Sequence, residues 1–139
     1  MKTQKGFTLV ELMIVVVVAS ILATVGIPAY SDYAKRGKLV EGTSALSDGR
    51  VKMEQFFQDN RTYDPAGDHT TCPSTIPAAT TNFTYSCSGL SATTYIVAAN
   101  GTGSLAGFSY SINQANTKSS ATPWGNGATC WIMKKGDTC

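Results

Sequence analysis

The chain has 139 residues, of which 42% are hydrophobic and only 14% are charged. This length predicts one small domain, and so few charges exclude a highly charged disordered protein. The formal net charge of +2 argues against a strongly basic nucleic-acid-binding protein, and Lys2 and Lys5 account for the whole basic excess.

The first predicted element is an apolar helix over residues 7–30, in which Glu11 is the one charged residue. Its 24 residues would form a helix about 36 Å long, enough to cross a hydrocarbon core of about 30 Å. Because Lys2 and Lys5 precede the helix, the positive-inside rule predicts a cytoplasmic N-terminus and places the polar remainder outside the inner membrane. The helix is too long for a cleavable secretory signal, and a plain anchor gives no reason for the carboxylate of Glu11.

Residues 5–16 read Lys-Gly-Phe-Thr-Leu-Val-Glu-Leu-Met-Ile-Val-Val and resemble the class III signal of type IV prepilins. The shared features are a basic leader ending in glycine, then phenylalanine, then glutamate four residues into an apolar helix. The resemblance implies that prepilin peptidase cleaves between Gly6 and Phe7, which makes residues 1–6 a leader. It also implies that the same enzyme methylates the new amino group of Phe7.

Cleavage before Phe7 would create a cationic amine among packed helices, where an unpaired charge is costly and an opposite charge recovers much of that cost. Glu11 lies one helical turn further on, so its carboxylate can pair with the amine of its own chain or of a neighbouring subunit. We therefore predict that Glu11 is needed for filament assembly, and the resemblance implies that its pairing with a neighbour sets subunit register. Further along, Gly26 and Pro28 predict a kink, because proline removes a helix hydrogen bond and clashes with the preceding turn.

The helix is predicted to continue over residues 31–60 as an amphipathic half. A narrow apolar stripe with small residues repeats along it, which suits packing against a strand layer. The stripe consists of Leu39, Gly42, Leu46, Gly49, Met53 and Phe56. The charged residues on the other faces, Glu54 among them, are interpreted as an ordinary solvated helix surface.

Residues 61–139 are predicted to form a small globular head. An irregular loop with three prolines and one glycine covers residues 61–80, and its Asp64, Asp68 and His69 are interpreted as solvated loop residues. Strand-like runs at 82–87, 94–98, 107–112 and 129–133 predict an antiparallel meander. The expected fold class is therefore α+β, and the resemblance implies the type IV pilin fold, in which the long N-terminal helix packs on this meander.

Cys72, Cys87, Cys130 and Cys139 allow three disulfide connectivities. We favour Cys72–Cys87 and Cys130–Cys139, since both close short local loops, and each would contribute about 3 kcal/mol on the chain-entropy model. A zinc site is the rival hypothesis, but no Cys-x-x-Cys pair is present and His69 is the only histidine, so we expect no metal. Two such pairs resemble a subgroup of pilins that contains minor pilins, among them the DNA receptor of transformation.

We expect a structural protein rather than an enzyme, with no cofactor, because the sequence has no phosphate loop, nucleophile elbow or helical metal pair. The resemblance implies assembly with other pilin subunits, and contact with prepilin peptidase and the inner-membrane pilus assembly machinery. It implies that the chain moves from the inner membrane into an extracellular filament that supports adhesion, twitching motility or DNA uptake.

Two alternatives stay open. A minor pilin that acts as a DNA receptor is suggested by Lys118, Lys134 and Lys135, which with a nearby tryptophan could bind phosphates and stack on a base. A type II secretion pseudopilin shares the same N-terminal signal. Major pseudopilins, however, typically lack disulfides and have an acidic calcium loop near the C-terminus, whereas Asp137 is the one acidic residue in the last third of this chain.

Overall fold

In a computed structural model, which describes residues 6–139, the chain forms one long helix and one antiparallel sheet of five strands. This confirms the predicted α+β class, while Lys2, Lys5 and the leader before Gly6 lie outside the described residues. The elements are α1 (Leu9–Asn60), β1 (Phe83–Ser88), β2 (Ile96–Gly101), a short 3-10 helix (Gly103–Leu105), β3 (Ser109–Asn113), β4 (Lys118–Thr122) and β5 (Gly125–Gly127). The chain divides into two compact units, Met1–Ala34 and Lys35–Cys139, which are described separately.

In the first unit α1 is apolar on every side. Its large apolar side chains are exposed, from 49% at Val18 to 90% for Phe7 just before the helix. By length and composition, α1 can cross a membrane. A helix that is apolar all round needs lipid or other helices to cover it. The helix continues through Gly26 and Pro28, and the kink there stays a prediction.

In the second unit one face of α1 packs against the sheet. Its buried residues are Leu39, Gly42, Thr43, Leu46, Gly49 and Met53. The predicted stripe is therefore confirmed along most of its length, but at its end Phe57 rather than Phe56 packs against the core. A Cβ on Gly42 would lie 2.7 Å from the ring of Phe83, so glycine permits the close approach of helix and strand.

The sheet is a meander, because each strand pairs with the next one along the chain. Alternate side chains of the strands point inward and complete the core, among them Phe83, Val97, Ala99, Tyr110 and Ile112. The first three predicted strands overlap β1, β2 and β3, and in β1 and β3 apolar residues alternate with polar ones, the signature of a half-buried strand.

The fourth predicted strand, at residues 129–133, is wrong. The last two strands are β4 and β5, and they are joined by the two-residue turn Pro123-Trp124. Their sequences, Lys-Ser-Ser-Ala-Thr and Gly-Asn-Gly, have too few apolar residues to be recognised as strands. The more apolar segment 129–133 forms no strand, because it binds the sheet mainly through side chains.

Glu54 is part-buried, so its interpretation as a solvated residue is wrong. Its carboxylate accepts hydrogen bonds from the hydroxyls of Tyr63, at 3.0 Å, and Tyr95, at 3.3 Å. Glu54 thereby joins α1 to the loop that follows it and to the residue just before β2. Burial, with the hydrogen bond and the charge of Glu54, raises the pKa of Tyr63 to about 12. Burial likewise raises the pKa of Tyr95.

We expect the head to lose stability as the pH rises from about 10, the pKa of an unfolded tyrosine, through about 12, the folded pKa of Tyr63. The folded state holds the Tyr63 proton more tightly, so its contribution is full below the unfolded pKa and is lost above the folded one. Two pKa units correspond to about 2.7 kcal/mol at most. Urea unfolding of the full chain in detergent at increasing pH measures this loss.

The matched variants are Tyr63→Phe, which removes the titrating group, and Tyr33→Phe, which removes an exposed hydroxyl on the first unit. Stability of the Tyr63→Phe chain should fall less steeply with pH than that of the unaltered chain, and Tyr33→Phe should change nothing. Identical pH dependence in all three chains would contradict the assignment.

Candidate functional site

Helix α1 begins with a capping box next to the predicted cleavage point. The backbone N–H and the hydroxyl of Thr8 both donate to Oε2 of Glu11, at 2.9 and 2.8 Å, and the N–H of Glu11 donates to the Thr8 hydroxyl at 3.2 Å. This reciprocal pattern satisfies donors that the first turn of a helix leaves free. Glu11 thus has a partner in its own chain. The Thr-x-x-Glu spacing is the sequence signal from which this cap could have been predicted.

Gly6 and Phe7 lie before this cap, exposed and outside regular secondary structure. A peptide bond that is exposed and outside regular structure is accessible to a peptidase. The assignment of the Gly6–Phe7 bond as the cleavage site stays a prediction, as does methylation of Phe7.

Two disulfides join Cys72 to Cys87 and Cys130 to Cys139, with Cα–Cα distances of 5.6 and 5.5 Å. These are the short local pairings that the sequence favours. The first connects the loop after α1 to β1, and the second closes the C-terminal segment. That segment lies directly on β5, because a Cβ on Gly127 would come within 2.8 Å of Sγ of Cys139.

The C-terminal segment is bound to the sheet chiefly through side chains. The buried hydroxyl of Ser120 donates to the carbonyl of Cys130 at 3.1 Å and accepts from the N–H of Ile132 at 3.0 Å. The hydroxyl of Tyr110 donates to the carbonyl of Ile132 at 2.9 Å. Buried polar groups that are paired in this way fix one arrangement of the backbone.

The three candidate DNA-binding lysines have different surroundings. Lys118 begins β4, is half-buried, and places its Nζ 4.7 Å from the ring centroid of Trp131. The Nζ of Lys134 lies 3.5 Å from Oδ1 of Asp137. Lys135 is exposed, and among residues 6–139 its side chain has neither an ion pair nor a hydrogen bond. The structure thus brings Lys118 to a tryptophan but does not bring the three lysines together.

The tip of the C-terminal segment is an ordered turn. Oδ2 of Asp137 accepts hydrogen bonds from the N–H groups of Met133, at 3.2 Å, and Lys134, at 3.1 Å. Gly136 has a φ of 86°, a backbone conformation that glycine adopts without strain. We refer to residues 130–139 as the C-terminal loop. The charged side chains of residues 70–139 are Lys118, Lys134, Lys135 and Asp137, so this part of the chain has a net positive charge.

In the loop after α1, the interpretation of Asp64 as a solvated residue is wrong, because Asp64 is buried. Its Oδ2 lies 2.8 Å from Nδ1 of His69, which is also 2.9 Å from the carbonyl of Leu90. The pair ties this loop to the turn between β1 and β2, close in sequence to the Cys72–Cys87 disulfide. Asp68 is exposed and accepts hydrogen bonds from the two threonines that follow it. Over the described range 6–139, no cluster of His, Cys, Asp and Glu could hold a metal ion.

Two family models match the chain. Residues 28–109, more than half of the chain, match the family described as type IV minor pilin ComP, DNA uptake sequence receptor. Residues 1–27 match the prokaryotic N-terminal methylation motif. The first match ends before β4, so it does not include Lys118, Lys134 or Lys135.

Curated relatives match the N-terminal half. A type IV major fimbrial protein FimA of Dichelobacter nodosus is 50% identical over 66 residues, which cover 47% of this chain and 41% of the relative. Another FimA from the same organism is 48% identical over 69 residues, which cover 49% of this chain and 42% of that relative. The chain therefore spans about two fifths of the length of these relatives.

A crystal structure of the non-core minor pilin PilV of Neisseria meningitidis resembles the chain with a TM-score of 0.57 at 14% identity. The likeness covers 73% of this chain and 99% of PilV. It confirms the type IV pilin fold that the N-terminal motif implies. With the family match over residues 28–109, it follows that the chain belongs to the type IV minor pilin family described as ComP.

Proposed function

We propose that the chain is a non-enzymatic, structural minor subunit of a bacterial type IV pilus. The observation that carries this proposal is the N-terminal half of α1, which is apolar on all sides, exposed, and largely included in the match of residues 1–27 to the N-terminal methylation motif. Before assembly, residues 7–30 lie in the inner membrane with the N-terminus in the cytoplasm. In the filament the same residues pack among the helices of other pilin subunits.

The partners in this proposal follow from the processing steps. Prepilin peptidase cleaves after Gly6 and methylates Phe7, and the inner-membrane assembly machinery then moves the subunit out of the bilayer. Thr8 supplies the carboxylate of Glu11 with a partner while the subunit is in lipid. On assembly, the amine of Phe7, from the same chain or from a neighbour, becomes its partner, because opposite charges in low dielectric recover much of their desolvation cost.

DNA binding by the head is the second function that we propose. The family description supports it, and so does the C-terminal loop, where Lys134 and Lys135 are exposed on a turn closed by the Cys130–Cys139 disulfide. Lysines on an ordered loop attract DNA phosphates, and the released counterions make such binding depend on salt. This function would make the subunit a receptor for DNA on the pilus.

Replacing Lys134 and Lys135 together with alanine should weaken the binding of duplex DNA. Each phosphate contact contributes about −0.9 to the slope of log K against log salt, so we expect the slope to become shallower by about one or more. Fluorescence anisotropy of a labelled duplex, with the full chain in detergent, measures both affinity and slope. Arg36→Ala with Lys52→Ala is the matched control, because it removes two exposed positive charges from α1. Equal loss in both double variants would contradict a binding site at the C-terminal loop.

A further inference from the structure

We propose that the three lysines have different roles in DNA binding: Lys135 contacts phosphate, Lys134 is held by Asp137, and Lys118 positions Trp131. This inference rests on the proposed DNA-binding function and assigns that function to individual side chains. It differs from the hypothesis drawn from the sequence, in which three equivalent lysines bind phosphates and a nearby tryptophan stacks on a base.

Lys118 acts on the indole ring of Trp131. A lysine ammonium over an aromatic face is attracted by the ring quadrupole, and the 4.7 Å between Nζ and the ring centroid lies within the range of that attraction. The edge of the same ring is fixed too, because Nε1 of Trp131 donates to the carbonyl of Ser111 at 2.9 Å. Trp131 is also part-buried against the core. Its ring is therefore an anchor of the C-terminal loop, and the face covered by Lys118 is not open to a base.

Asp137 reduces the effective charge of Lys134. Two backbone N–H groups of the loop donate to Oδ2 of Asp137, so that its carboxylate is fixed while Oδ1 lies 3.5 Å from the Nζ of Lys134. A phosphate that approaches Lys134 also approaches this negative charge. Lys134 thus contributes less to phosphate binding than an isolated lysine would.

Lys135 is the next residue on the same turn, and no acidic side chain in the described part of the chain pairs with it. Its ammonium is exposed on a backbone that is held by Asp137 and by the Cys130–Cys139 disulfide. An exposed positive charge on an ordered loop binds phosphate with little loss of backbone freedom. Lys135 is therefore the residue for direct phosphate contact.

Salt titrations of duplex DNA binding, with the full chain in detergent, test the assignment. Lys135→Ala should make the negative slope of log K against log salt shallower by about 0.9, the value for one phosphate. Lys118→Met should weaken binding at every salt concentration without changing the slope, and Lys118→Arg, which keeps a cation over the ring, should restore the affinity. Asp137→Asn should make the slope steeper, because it frees Lys134 to contact phosphate. A slope that becomes shallower by the same amount for Lys118→Met and Lys135→Ala would overturn the assignment.

The fluorescence of Trp131 tests the positioning role without DNA. In a Trp124→Phe chain Trp131 is the one remaining tryptophan. Lys118→Met should then shift its emission, Lys118→Arg should reverse the shift, and Lys135→Ala should leave the emission unchanged. Unchanged emission in Lys118→Met would overturn the role of Lys118. If the unaltered chain shows no salt-dependent DNA binding, the proposed DNA-binding function fails together with the assignment of Lys135, whereas the emission still decides the role of Lys118.

Discussion

Replacing Glu11 with alanine should leave cleavage after Gly6 intact but remove the subunit from pili. The substitution leaves the amine of Phe7 without an opposite charge among packed helices. Losing one partner of a buried ion pair typically costs about 3–5 kcal/mol. Since about 1.4 kcal/mol corresponds to a factor of ten, incorporation should fall by more than about tenfold. Quantitative mass spectrometry of sheared pili and of the membrane fraction measures both cleavage and incorporation.

The capping box makes a matched control necessary, because Glu11→Ala also removes the cap of α1. Glu11→Gln is that control, since glutamine at this position can still accept the hydrogen bond from the N–H of Thr8 but has no charge. If Glu11 pairs with the Phe7 amine, both the Glu11→Ala chain and the Glu11→Gln chain should be cleaved but stay in the membrane. Normal incorporation of the Glu11→Gln chain would show that Glu11 acts only as a helix cap.

Leu46→Ala should destabilise the head by about 2–5 kcal/mol, the usual range for a truncated core leucine. Leu46 is fully buried on the face of α1 that packs against the sheet. Its truncation removes apolar contacts and leaves a cavity that a packed sheet fills only in part. Val51→Ala is the control on the same helix, because Val51 is 54% exposed, and we expect it to cost less than about 0.5 kcal/mol.

Urea unfolding of the full chain in detergent, followed by near-ultraviolet circular dichroism, measures these differences. The signal reports the packing of the buried aromatic residues of the head, such as Phe83, Tyr95 and Tyr110. Equal stability of the Leu46→Ala and Val51→Ala chains would contradict the packing of this helix face against the sheet.

The elements that apolar patterns define could be predicted from the sequence. The stripe through Leu39, Leu46 and Met53 repeats with the helix period, and β1 and β3 alternate with the strand period, because burial of apolar side chains drives both. The strand β4 has no such signal, since its five residues include only one apolar side chain. The run at residues 129–133 has the apolar residues typical of a strand but does not form one. It is held by Tyr110, Ser111 and Ser120, which lie 10 to 22 residues away in the chain.

The contacts of the charged side chains were harder to predict, because their partners too are distant in the sequence. Glu54 reaches a tyrosine 41 residues away, and His69 contacts a carbonyl 21 residues away. The contact of Lys118 with Trp131 likewise depends on how the C-terminal loop folds onto β4. Composition and spacing identified these charged residues, but only the tertiary structure determines which charges are exposed and which are paired.

Intact mass spectrometry of pili sheared from the source cells tests the central claim most directly. The account predicts a minor species that begins at methylated Phe7 and is four hydrogens lighter than the reduced chain, because both disulfides are formed. A chain found only in the membrane, still carrying residues 1–6, would contradict processing and assembly as a pilin.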